Sequence, residues 1–186
     1  MKLFSKIVAI LLLLSSCKKE KTYRPFSEKE LDFVNYSPGQ LIRFSDTNNV
    51  IHTFIQDTLR REFREFIGIY GRTNNLHETY WVLYYSPVES SLGFSVGVSG
   101  KFIPYNFGEL NINFCGYIVE AIIDSLKPPT PALIIGGSTY VNVHTLKVYK
   151  YGSFPNNTDT ATLHYNRQYG AIQLLLPGGK AVTRVN

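Results

Sequence analysis

The strongest constraint on the fold lies at the end of the chain. Ala161-Thr162-Leu163-His164-Tyr165-Asn166 leads through Arg167-Gln168-Tyr169-Gly170 into Ala171-Ile172-Gln173-Leu174-Leu175-Leu176, and Pro177-Gly178-Gly179-Lys180 turns it into Ala181 to Val185. Three short β-prone segments joined by turn residues read as three strands in meander. The same grammar recurs upstream. Leu41 to Ser45 and Val50 to Gln56 flank Asp46-Thr47-Asn48-Asn49, a hairpin with a four-residue loop. Leu133-Ile134-Ile135 and Thr139 to Tyr151 flank Gly136-Gly137-Ser138, after the stiff connector Lys127-Pro128-Pro129-Thr130-Pro131. His77 to Ser86 is apolar on both faces, as in a central strand, and Glu109 to Val119 alternates as one strand.

Aromatics are 14% of the chain, many of them tyrosines among β-branched residues and glycines, a mix that suits strands. The predicted fold is therefore mainly β, a single antiparallel domain over residues 36–186, sandwich or open half-barrel, with little helix. Two places resist that pattern. Ser27 followed by Glu30 resembles a capping box, so a short helix can precede the first strand. In Asp57 to Tyr70 the residues Leu59, Phe63, Phe66, Ile67 and Tyr70 fall at helical spacing, yet Ile67-Gly68-Ile69-Tyr70-Gly71 is poor helix material, and strand is the favoured reading.

The N-terminus decides where such a domain lives. Lys2 and Lys6 precede the apolar run Ile7 to Leu14, and Leu14-Ser15-Ser16-Cys17 closes it. That is the layout of a secretory signal, too short for a helix that crosses a bilayer on roughly 20 apolar residues. With its Leu, two small residues and Cys it resembles the bacterial lipobox. The resemblance implies acylation of Cys17, cleavage before it, residues 1–16 as signal peptide and 17–35 as lipidated Cys and tether. Several acyl chains on one residue give stable anchoring, each buried methylene contributing about 0.8 kcal/mol. The partner so implied is a membrane, reached by palmitate-type lipid rather than by a spanning segment.

Charge and cysteine count exclude more than they propose. Two of the formal +5 charges lie in the signal peptide, and the remaining basic residues are scattered, so nucleic acid is not an expected partner. Cys17 and Cys115 are the two cysteines. If lipid takes up the first, the second has no disulfide partner, and the surrounding Asn113-Phe114-Cys115-Gly116-Tyr117 supplies no charge to activate a thiol. Cys115 is expected in the core.

The final meander resembles a pattern at the C-terminus of small Bacteroidota lipoproteins: a Tyr-rich strand, a Tyr-Gly corner, an aliphatic strand, then a Gly turn. Ser138-Thr139-Tyr140-Val141-Asn142-Val143 and Tyr36-Ser37-Pro38-Gly39 followed by Phe44 look like other segments of those proteins. The likeness implies an outer-membrane, lipid-anchored protein and carries over no catalytic residue. In that group surface export is linked to an acidic run after the lipidated Cys; here Lys18-Lys19-Glu20-Lys21 is basic, which favours the periplasmic face. A fainter likeness is to the lipoprotein carriers of the Lol pathway, with their open β half-barrels.

Candidate sites are few. Asp57-Thr58-Leu59, Asp124-Ser125-Leu126 and Asp159-Thr160-Ala161 resemble the Bacteroidota O-glycosylation signal, making Thr58, Ser125 and Thr160 candidate acceptors; Asp-Thr and Asp-Ser are also ordinary turn starters. His52, His77, His144 and His164 lack the short spacing that marks a metal site. No nucleophile elbow or phosphate-cradling loop is present. No cofactor, metal or catalytic residue is therefore expected, and the chain reads as a binding module rather than an enzyme. In Leu92 to Val98 alternation leaves Gly93, Ser95 and Gly97 as a bare face, either covered by neighbouring aromatic rings or forming the floor of a groove, lined by tyrosines and Trp81, for an apolar or glycan ligand. The alternative is a structural or assembly lipoprotein that meets a protein partner through a strand edge.

Overall fold

The computed structural model describes residues 22–34, 37–68, 71–88, 93–100, 108–151 and 159–185. In chain order these form β1 (Thr22–Arg24), α1 (Glu28–Leu31), β2 (Leu41–Ser45), β3 (Ile51–Gly68), β4 (Gly71–Tyr85), β5 (Phe94–Ser99), β6 (Glu109–Phe114), β7 (Tyr117–Ile122), β8 (Thr130–Ile135), β9 (Ser138–Lys150), β10 (Thr160–Asn166), β11 (Gly170–Leu175) and β12 (Ala181–Val185). From β2 to β7 and from β9 to β12 each strand pairs antiparallel with the next, and β9 joins β7. β12 then pairs back onto β2, with Thr183 opposite Ser45 and Val185 opposite Arg43. Ten strands thus close into a barrel. The expected single antiparallel β domain is present, and its sheet curls past a half-barrel until the first and last wall strands meet. Closure gives every wall strand a neighbour on each side, with the β7–β9 seam a short one, Tyr117 and Ile118 opposite Lys150 and Tyr149.

Period-2 alternation fills the interior. Ile42 and Phe44, Val82 and Tyr84, Phe94, Val96 and Val98, Leu110, Ile112 and Phe114, and Leu146 and Val148 all point inward and are buried. A barrel of eight strands is about filled by ordinary side chains and a wider one needs more volume. Rings supply it here. Phe44 and Phe114 lie 4.7 Å apart between centroids, Phe44 and Phe54 5.8 Å, and Tyr84 stacks on Phe94 at 4.1 Å.

The barrel has two unlike ends. At the hairpin end lie the Asp46–Val50 turn, the Cys115–Gly116 turn and the 3-10 turn Pro177–Gly179. At the plug end the chain enters through α1. There Ser27 N–H donates to Glu30 Oε2 at 2.6 Å, the reach-back half of the predicted capping box. Phe33 follows and lodges in the core, 1% exposed. Its carbonyl accepts the Tyr165 hydroxyl, its ring lies 5.5 Å from that of His144, and the Arg167 guanidinium sits 4.2 Å above it. Fully buried Glu78 ties the same segment down by accepting Phe26 N–H at 3.0 Å and pairing with Arg61.

Two sequence expectations change, and one ambiguity resolves as favoured. Glu109 to Val119 is not one strand: Cys115 (φ 51) and Gly116 (φ 78) turn it into the β6–β7 hairpin. Two successive positive φ values are the geometry of a tight hairpin turn. Thr22–Arg24, expected as tether, adds a strand parallel to β4, with Arg24 opposite His77. The ambiguous 57–68 stretch is strand, with register shifts between Gln56 and Thr58 and between Glu65 and Ile67; Leu59 packs against the core while Phe63, farther along the same face, is exposed and meets Tyr23 edge-on.

Between β7 and β9 the chain leaves the wall. Among the described residues β8 pairs only with the first half of β9, and β9 carries a positive φ of 53° at Asn142 before its second half joins the barrel. Ile135, Tyr140 and Val143 of this arm close over Ile172 as a second small core.

Candidate functional site

The bare glycine face is not a groove at Gly97. A Cβ built there would lie 2.4 Å from Cδ2 and Cε3 of Trp81, so the indole lies directly on the glycine backbone. This is the covered alternative, on the outer wall, since Val82 and Tyr84 take the inward positions of β4. Next to Gly93 no atom of the described residues stands within 4 Å of a built Cβ.

The inward-facing polar residues gather instead at the plug end. A cavity of about 240 Å³ opens there, lined by Gln40, Ile42, Gln56, Tyr84, Val96, Tyr165, Gln168, Tyr169, Gly170 and Arg184. It is smaller than the roughly 300–1,000 Å³ that houses a drug-sized ligand. Its floor is apolar, from Ile42 and Val96. Its wall is hydrogen-bonded: Ser37 N–H donates to Gln56 Oε1 at 3.0 Å, which fixes the amide so that Nε2 donates to the Tyr84 hydroxyl at 2.7 Å. Tyr84 oxygen thus acts as acceptor and keeps its own proton to donate. Tyr165 is turned the other way, spending its O–H on the Phe33 carbonyl. Burial pushes the Tyr84 phenol up to about 12 and raises that of Tyr165 as well, so both stay neutral.

The rim is built by the Tyr-Gly corner. Asn166 Oδ1 accepts the N–H groups of Gln168 at 2.6 Å and Tyr169 at 3.0 Å, an Asx-type turn that Gly170 completes at φ 74. The turn presents the Tyr169 carbonyl to Arg184, which donates to it, with the guanidinium 5.6 Å from the Tyr169 ring centroid. Tyr140 of the β8–β9 arm packs edge-on against Tyr169 at 5.5 Å. Arg184 follows inward Val182 by two residues, so the pleat aims it at the interior mouth. Burial lowers its pKa.

The residues singled out from the sequence scatter. Cys17 lies outside the described residues. Thr58 sits half-buried at the β3 bulge, its hydroxyl donating to Asp57 Oδ2 at 2.7 Å; Ser125 is exposed in the 3-10 turn Ile123–Ser125; Thr160 is half-buried at the start of β10. Cys115 packs partly buried against the core from a turn, where a strand position was expected. His52 stands 3.5 Å from Asp46, His164 Nδ1 lies 3.3 Å from the Thr145 hydroxyl, and His144 lies under Phe33. Among the described residues no three His, Cys, Asp or Glu come together as metal ligands, and no helix is long and apolar enough to cross a membrane. Sequence reasoning missed Gln56, Tyr84, Tyr165 and Arg184 as a set. The available signal was parity: a charged residue two places after Val182 in the same strand points where apolar side chains go.

Compared with protein-family models, curated proteins and solved structures, the chain matches none of them.

Proposed function

We propose that this chain is a lipid-anchored outer-membrane lipoprotein, facing the periplasm, whose barrel binds a small hydrogen-bonding ligand at the plug end without transforming it. The observation that carries the binding part is the cavity with fixed Gln56, Tyr84 and Tyr165 groups over an apolar floor. A few placed polar groups in an otherwise apolar recess are what orient a ligand. Its size and the ring-filled interior favour a compact polar molecule, on the scale of one sugar ring, over a long acyl chain. The neutral phenols supply hydrogen bonds, and nothing near them in the described residues supplies a general base.

Anchoring rests on the lipobox resemblance around Cys17. Palmitate labelling in the native host tests it: wild type is expected to take up label and fractionate with membranes, Cys17→Ser to do neither. Equal fractionation of the two removes the anchor. Intact mass of the same material reads glycosylation, for which exposed Ser125 is the best presented of the three candidates; a mass explained by lipid alone removes that part.

The structural alternative has one observation in its favour. Ile134 is 74% exposed and Val141 49% exposed on the outer face of the β8–β9 arm, and among the described residues β8 pairs only with β9. A protein partner adding a strand to β8 would cover both.

A further inference from the structure

We infer that the plug-end cavity takes an organic oxyanion, a carboxylate or phosphate ester on a compact apolar body, held by Arg184 and Tyr84. This rests on the binding reading above and names its ligand class. Arg184 is the one charged residue in the lining. Among the described residues no Asp or Glu pairs with it; its recorded partner is the Tyr169 carbonyl. That contact uses one N–H of a five-donor fork and leaves the rest for a second acceptor. A half-buried cation without a counter-charge is a costly arrangement, and a bound anion relieves it.

The second donor comes from the Gln56 relay. Ser37 fixes the amide, the amide occupies the Tyr84 oxygen as acceptor, and the Tyr84 O–H keeps a proton to donate, for which no hydrogen-bond acceptor stands among the described residues. Guanidinium and phenol on one small recess both donate, and Tyr165 donates elsewhere. A cation would meet no acceptor carboxylate here, and a neutral molecule would leave the guanidinium unmatched. Behind the donors, Ile42 and Val96 accept an apolar body. Planar two-oxygen anions match the guanidinium fork bidentately.

The experiment titrates full-length lipidated protein in detergent micelles with benzoate, phenyl phosphate and neutral benzyl alcohol, by calorimetry and thermal shift. One or both anions are expected to bind at least tenfold more tightly than benzyl alcohol, and the better of the two identifies the headgroup. Arg184→Gln should weaken the anion by roughly ten- to hundredfold, the size of a hydrogen bond to a charged group, and leave benzyl alcohol unmoved. Arg184→Lys should recover part of that loss. Tyr84→Phe removes one oxygen from a ring that keeps its packing and should weaken the anion selectively; it decides the matter if Arg184→Gln does not fold. If benzyl alcohol binds as well as the anions and neither variant discriminates, the oxyanion assignment falls while the pocket stands. If none of the three probes binds, both fall.

Discussion

At Gly97 the backbone of β5 touches the Trp81 ring, and that contact leaves no room for a methyl group. With ring carbons 2.4 Å from the built Cβ, an added side chain forces the indole off the strand. Gly97→Ala is therefore expected to destabilise the barrel by about 1–3 kcal/mol, the usual cost of overpacking. Urea unfolding followed by the fluorescence of Trp81, the lone tryptophan, reads the loss and the ring's new environment together. An unchanged midpoint and spectrum would mean that the ring does not rest there. Trp81 gains apolar cover from this arrangement, while its indole N–H finds no partner among the described residues, so packing rather than hydrogen bonding holds it.

The element that most distinguishes the two barrel ends is the α1 segment. Its four helical residues are too few to hold themselves together, so the entry conformation depends on Phe33 in the core, on Glu78 and on the Tyr165 hydroxyl. Phe33→Ala should cost about 3–5 kcal/mol if the site cannot collapse. Hydrogen exchange should then show faster opening of residues 26–34 than of β5 or β6, because the plug is an addition to a wall that closes without it. Uniform loss across the wall strands would make the plug part of the closure. The β8–β9 hairpin, β2, β10, β11 and β12 were legible because glycine or Asx turns separate segments of plain alternation. The break at Cys115 was not: a tight hairpin turn usually announces itself by Asn-Gly or Asp-Gly, and here cysteine holds the first position, so Asn113 to Tyr117 reads as unbroken strand. The register shifts of β3 hid in the same way: the one between Glu65 and Ile67 interrupts the two-residue period inside the stretch whose apolar spacing reads as helical. The cavity was legible only in pieces. Tyr84 and Arg184 each stand at inward parity, but β4 and β12 are separated around the wall by β3 and β2, and nothing local says that closure brings them to one mouth.

At the scale of the whole molecule, closure decides how the barrel responds to acid. Three histidines on three different strands, His77, His144 and His164, have their pKa values lowered from the ordinary 6.5, in each case chiefly by burial. For His144 the nearby Arg167 guanidinium adds to the effect, and a hydrogen bond to the Lys127 backbone opposes it. A depressed histidine is neutral in the folded state while the unfolded chain takes up protons at its usual value. Below about pH 6.5 the unfolded state thus binds more protons, and stability falls as pH falls. Above that value the three contribute no pH dependence. Asp46 acts in a separate, more acidic window. Hydrogen bonds from the Val50 and Asn48 backbone lower its carboxyl below the ordinary 3.8, so its share is present above that pH and is lost as the carboxylate protonates. Two steps are expected in a plot of unfolding midpoint against pH: a first decline below about 6.5 and a second below 3.8. His144→Gln should shallow the first decline without removing it, because His77 and His164 still titrate. Midpoints that stay level from pH 8 to pH 5 would mean that these side chains reach water in the folded barrel, which its packed interior does not allow at His144, 5% exposed.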